Sequence, residues 1–81
     1  MKARVIVKFK EGVLDPQGQT IRRSLNKLGH QQIARVRQGK YFEIEFEGVQ
    51  DVEKARELIE QIAQGVLSNP IIENFEIEDI S

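Results

Sequence analysis

Three observations in the sequence predict an α+β sandwich. Residues 2–10 (KARVIVKFK) and 71–80 (IIENFEIEDI) alternate apolar and charged side chains, and residues 33–47 (IARVRQGKYFEIEFE) alternate on both sides of a glycine. Between these stretches lie two segments whose apolar residues recur at helical spacing. The alternating segments also differ in charge, the first being basic and the later ones acidic, as neighbouring strands of one sheet would be. The resulting order is βαββαβ. In a chain of this size that order implies a ferredoxin-like α/β sandwich, with a four-stranded antiparallel sheet (order 4-1-3-2) and two helices on one face.

The first strand places Ala3, Val5, Val7 and Phe9 on one face and Lys2, Arg4, Lys8 and Lys10 on the other. Ile21, Leu25 and Leu28 then follow at spacings of four and three and stop at Gly29, a helix of about three turns with a glycine terminator. In residues 33–47 the apolar Ala34, Val36, Phe42, Ile44 and Phe46 are all even-numbered. A hairpin keeps them on one face only if its loop has an odd length, about three residues, with Gly39 in a left-handed bulge position. Val52, Ala55, Ile59, Ile62 and Val66 make the strongest helical pattern, with Asp51 as N-cap and Gly65 and Asn69-Pro70 marking the end. The final strand sets Ile71, Phe75 and Ile77 against Glu76 and Glu78. In the order 4-1-3-2, the cations of strand one lie between Glu43, Glu45 and Glu47 on one side and Glu76 and Glu78 on the other. Each opposite-charge pair across strands is worth up to about 1 kcal/mol.

At 81 residues the chain is expected to be a single domain, 1–81, burying roughly 60–65% of its unfolded surface, so that association would add to a modest stability. A formal charge of −1 argues against a general nucleic-acid or membrane-surface role, since both favour net positive charge. Cysteine is absent, which removes disulfides, thiolate catalysis and cysteine metal sites. No apolar run has the length of a signal core or a membrane span, and the expected location is the cytoplasm.

Catalytic and ligand motifs do not assemble. "RQGKYFEIEF" superficially matches the third-strand motif of RNA-recognition domains, but Lys40 stands where the first aromatic belongs. Tyr41 is the one outer-face aromatic, and it sits beside Glu43 and Glu45, which would repel phosphates. "GVQ" at 48–50 resembles a fragment of the acylphosphatase loop, but it precedes the wrong helix and no arginine follows at useful distance before Arg56. His30, the single histidine, falls at a helix end, where an exposed polar role beside the helix dipole suffices. Scattered carboxylates such as Glu57 and Glu60 form no metal-ligand cluster. No catalytic, cofactor-binding or metal residue is expected.

The connector "GVLDPQGQTI" at 12–21 is more specific than a strand-to-helix joint requires. Asp15 suits an N-cap and Pro16 the first helical position. Gly18 would then stand in the first turn, where glycine costs about 0.5–1 kcal/mol relative to alanine. Either the helix begins after Gly18, or Gly18 lets another backbone approach closely.

"LDPQGQTI" at 14–21, "VRQGKYFEIEFEG" at 36–48 and "LSNPIIENFEIE" at 67–78 together closely resemble the PurS family over nearly the whole chain. PurS is the small subunit of phosphoribosylformylglycinamidine (FGAM) synthase in purine biosynthesis. Gln38 is one departure, at a position where the family more often has an apolar or small residue. The resemblance implies a non-catalytic subunit, a homodimer or tetramer, that bridges a glutaminase (PurQ) and a synthetase (PurL) and assists ammonia transfer. ATP and magnesium would be bound by the synthetase and not by this chain. It favours a close subunit contact at Gly18 and a docking surface made of Asp15, Pro16, Gln17 and Gly18 with the hairpin tip Arg37, Gly39, Lys40 and Tyr41. An alternative of another class is a small-molecule-sensing regulatory domain of the ACT type, which shares the βαββαβ layout and binds amino acids at a glycine-containing loop between subunits.

Overall fold

Strand β1 (Lys2–Phe9) lies at the centre of the sheet, as its basic outer face requires. In the computed structural model, which describes residues 1–81, it is followed by α1 (Pro16–Lys27), β2 (Gly39–Glu45), α2 (Val52–Ile62), a π-helical turn (Ala63–Leu67) and β3 (Glu73–Ile80). The sheet order is β2-β1-β3, and β1 is antiparallel to both neighbours. Ala3, Val5 and Val7 are fully buried on one face, where Val5 stands opposite Phe42 and Ile77. On the other face Lys2 lies 3.7 Å from both Glu43 and Glu45, and Arg4 reaches Asp79 at 2.7 Å and Glu43 at 3.8 Å. The cations of β1 are thus flanked by carboxylates on both sides. Asp79 replaces the expected Glu78 because a register shift falls between Arg4 and Val5.

The expected four-stranded sheet does not form. Residues 33–38 make no strand, so the sheet has three strands and there is no hairpin around Gly39. Ile33 and Val36 are the half-buried residues of this segment, a spacing of three rather than two, and Ala34 is exposed. Its polar groups are taken up elsewhere: Arg35 and Arg37 reach back to Glu11, and the Gln38 N–H is held by Asp15. Gly39 is not left-handed either; positive φ occurs at Gly12, Gly29 and Gly48. Gly39 opens β2 because a β-carbon there would lie 2.6 Å from the Val7 carbonyl oxygen on β1.

A second correction concerns the helix layer. Only α2 covers the sheet. Its Ile59, with Ala63 of the π-helical turn, packs on Ala3, Val5 and Val7 to form the buried cluster. Helix α1 has no extensive packing on the sheet, and the molecule extends to 51 × 24 × 14 Å. The ends of both helices are nonetheless specified locally. Asp51 caps α2 by accepting from the Glu53 N–H at 3.0 Å. α1 closes with Gly29 at φ +105, the His30 N–H donating to the Leu25 carbonyl at 3.0 Å and the Gly29 N–H to Asn26 at 3.1 Å. These are the paired bonds of a Schellman motif. The π-helical turn ends where Ser68 uses both its N–H (2.9 Å) and its hydroxyl (2.8 Å) on the Ala63 carbonyl.

Candidate docking site at the start of the first helix

Asp15 organises the connector with both carboxylate oxygens. Its Oδ1 accepts from the Gly18 N–H at 2.9 Å, capping α1, with Pro16 in the first helical position. Its Oδ2 accepts from the Gln38 N–H at 2.8 Å, which ties the helix start to the chain entering β2. The Gln38 side-chain amide also donates to Gln17 Oε1. These N–H groups, Gln38 first and Gly18 second, hold the Asp15 carboxyl below its ordinary value.

The helix therefore begins at Pro16, not after Gly18, and Gly18 is a buried residue of its first turn. A β-carbon on Gly18 would stand 2.2 Å from the Val36 carbonyl oxygen and 2.8 Å from Asp15 Oδ2. Another backbone does approach Gly18 closely, and it is that of this chain's own Val36. The contact expected from a partner subunit is filled from within.

A pair of arginines closes the other side of the connector. Arg35 Nη2 lies 3.2 Å from Glu11 Oε2 and Arg37 Nη1 lies 3.1 Å from Glu11 Oε1, while Arg37 Nη2 donates to the Phe9 carbonyl. The Arg35 guanidinium, then Arg37, depresses the Glu11 carboxyl. An open cleft of about 350 Å³ remains between α1 and residues 34–37, with Phe9, Leu14, Gly18, Arg22 and Val36 among its walls.

The predicted docking residues are partly brought together. Asp15, Gln17, Gly18 and Arg37 converge around residues 36–38, and Gln17, Gly39 and Lys40 share a small recess with Gln38. Pro16 borders the adjoining surface beside Gln17 and Ile21. Lys40 pairs with Val7 and Tyr41 with Ile6, so these two residues stand on opposite faces of the sheet. The Tyr41 hydroxyl donates to Glu43 at 3.2 Å, and partial desolvation together with that carboxylate raises its phenol above the usual value. Sequence reasoning missed Glu11, Arg35 and Gln38 as members of this cluster. The unusual Gln38 was a signal for one of them; the Glu11 pairing spans 24 and 26 residues and leaves no local pattern. His30 stands apart and exposed, and no three His, Cys, Asp or Glu side chains gather as a metal-binding group.

Residues 2–80 match the family model of PurS, phosphoribosylformylglycinamidine (FGAM) synthase. The chain belongs to the PurS family. It is 43% identical over 77 residues to phosphoribosylformylglycinamidine synthase subunit PurS of Methanocaldococcus jannaschii, covering 95% of this chain and 92% of that one. The PurS subunit of Mycobacterium leprae is 44% identical over 77 residues, covering 94% and 91%. The crystal structure of M. jannaschii PurS, described as one of the subunits of formylglycinamide ribonucleotide amidotransferase in the purine biosynthetic pathway, superposes with a TM-score of 0.83 at 41% identity, covering 99% and 98%. A chain in the structure of PurLQS from Thermotoga maritima superposes with a TM-score of 0.82 at 28% identity, covering 99% of both. PurS membership thus extends over the connector, the 33–38 segment and all three strands.

Proposed function

We propose that this chain is the non-catalytic PurS subunit of an FGAM synthase, acting in purine biosynthesis in the cytoplasm. In this reading a glutaminase subunit (PurQ) releases ammonia from glutamine. A synthetase subunit (PurL) binds ATP and magnesium and uses the ammonia to convert formylglycinamide ribonucleotide to its amidine. The PurS chain, self-associated as a dimer or tetramer, bridges the two and assists ammonia transfer. The observation that carries this is the family match over residues 2–80, supported by the relation to a chain of the PurLQS structure from T. maritima.

The docking surface is assigned to the Asp15, Pro16, Gln17 and Gly18 turn with Arg37, Gly39, Lys40 and Tyr41. The support is geometric. Asp15 and Gln38 cross-tie the two segments, which gives a partner a preformed polar surface rather than two separate loops. With Gly18 occupied by Val36, the groups left to meet a partner on this side are Pro16, Gln17, Gly39 and Lys40, while Tyr41 would meet one from the opposite face of the sheet.

The test is reconstitution with PurL and PurQ. Glutamine-supported amidine formation is expected to require this chain, whereas synthesis from free ammonia by the synthetase alone is expected to persist without it. Equal glutamine-supported rates with and without the chain would overturn the reading.

A further inference from the structure

The formal charge of −1 hides a division along the molecule. Residues 8–40, which hold the connector, α1 and the segment entering β2, carry eight lysines and arginines against two carboxylates, Glu11 and Asp15. The remaining residues carry four against eleven carboxylates. The part of the molecule built around α1 is therefore strongly basic, and it holds the cleft between α1 and residues 34–37. A recess set in a field of one sign attracts a partner of the opposite sign.

Within the cleft one cation is left over. Three guanidinium groups border it, those of Arg22, Arg35 and Arg37. Arg35 and Arg37 are paired with Glu11, whereas no carboxylate of the chain lies within ion-pair distance of Arg22. Arg22 Nη1 donates to the Ala34 carbonyl at 3.3 Å, and its Nε is shut off from water with no hydrogen-bond partner. A buried N–H without an acceptor is a cost that the lone chain carries. The bond to Ala34 is long, so the guanidinium can turn toward a better acceptor at little loss. Asp15, the single carboxylate in the cleft wall, already has its oxygens on the Gly18 and Gln38 N–H groups. The rest of the lining includes the apolar Phe9, Val13, Leu14 and Val36, and Leu14 is 61% exposed.

We propose that this cleft receives an acidic segment of one of the two larger subunits. A glutamate or aspartate side chain of that segment meets the Arg22 guanidinium in a two-point pair, and an apolar neighbour of it rests on Val13 and Leu14. The volume of about 350 Å³ suits a few side chains and not a whole helix. Both walls are held before anything binds, by Asp15 on Gln38 and by Glu11 on Arg35 and Arg37, so docking orders little. Glu11 and Asp15 standing among the cations disfavour a nucleic-acid backbone as the occupant. This occupant rests on the proposed function and adds the chemistry that a partner presents beside Pro16, Gln17, Gly39 and Lys40.

Surface plasmon resonance of the chain on separately purified PurL and PurQ gives both rate constants. Arg22→Gln is expected to raise the dissociation rate from one of the two subunits at least tenfold. Arg22→Lys, which keeps the charge but not the planar fork, is expected to fall between. Leu14→Ser, at an exposed connector position that the fold does not depend on, is expected to raise the same rate at least threefold. Arg23→Gln removes an equal charge from the exposed neighbouring position on α1 and is expected to slow association less than threefold, with dissociation unchanged. Equal dissociation rates for Arg22→Gln and the unsubstituted chain would overturn the inference and leave the proposed function standing. Equal losses for Arg22→Gln and Arg23→Gln would overturn it in favour of a diffuse basic field. Weakened self-association in sedimentation equilibrium, with binding of the larger subunits intact, would put a second copy in the cleft and overturn it as well. An unsubstituted chain that binds neither subunit would overturn both readings.

Discussion

The Val36 carbonyl passes so close to Gly18 that a β-carbon on that glycine would lie 2.2 Å from its oxygen. The contact joins the first turn of α1 to a segment 18 residues further along, and it explains why glycine is retained in a helix that would otherwise favour alanine. Gly18→Ala is therefore expected to destabilise the fold by about 1–3 kcal/mol, the usual range for forcing a methyl group into packed backbone. Thermal unfolding measures it. A melting temperature equal to or above that of the unsubstituted chain would show that the two segments separate freely.

Acid should loosen the same junction. Asp15 is held below its ordinary value by the Gln38 and Gly18 N–H groups, and Glu11 is held below its own by Arg35 and Arg37. A carboxylate with a depressed folded-state pKa contributes stability that is complete above its unfolded value, near 4. That stability is lost as the pH falls through the lower folded value. The Gly18 and Gln38 amide resonances are accordingly expected to titrate together, with a midpoint below 3.8, the ordinary value for Asp15. Unlinked titrations, or midpoints at the ordinary value, would contradict the shared hydrogen bonds.

The core is small enough for one side chain to decide folding. Ile59 is fully buried against Ala3, Val5, Val7 and Ala63, and only seven residues of the chain are buried at all. Ile59→Ala is expected to cost about 2–5 kcal/mol. For a chain of this size that approaches the whole stability of the fold. Circular dichroism should show a largely unfolded chain at low protein concentration; a cooperative native-like melt would place the core elsewhere.

The charged face of the sheet should matter far less. Arg4 pairs with Asp79 at 2.7 Å and with Glu43 at 3.8 Å, but these groups are exposed to water and screened by salt. Arg4→Ala is expected to lower the melting temperature only slightly, and less at high salt. Arg4→Glu is expected to do more, by facing carboxylates on both neighbouring strands. Thermal melts of both variants at two salt concentrations separate these effects.

What the sequence showed, and what it hid, divides along the range of the interactions. The β1 alternation, the Asp51 cap, the glycine stop after Leu28 and the central position of the basic strand are set by neighbours in the chain or by pairs of whole strands, and all were legible. Residues 33–38 misled because Ala34 and Val36 alternate with Arg35 and Arg37 as a half-buried strand would. The arginines instead serve Glu11, more than twenty residues upstream, and Val36 serves Gly18. Asp15 was recognisable as a cap through its Oδ1. Its second oxygen accepts from the Gln38 backbone N–H, a tie that no residue type announces, and the site's geometry depends on it.

The cantilevered position of α1 affects how the molecule would look in solution. Its radius of gyration is 16.2 Å, whereas a compact chain of this length would have about 12 Å. By the same scaling, 16.2 Å is the radius of a compact protein of about 190 residues. A single copy would therefore scatter and elute much as a globular dimer does. The association state must therefore be weighed rather than sized.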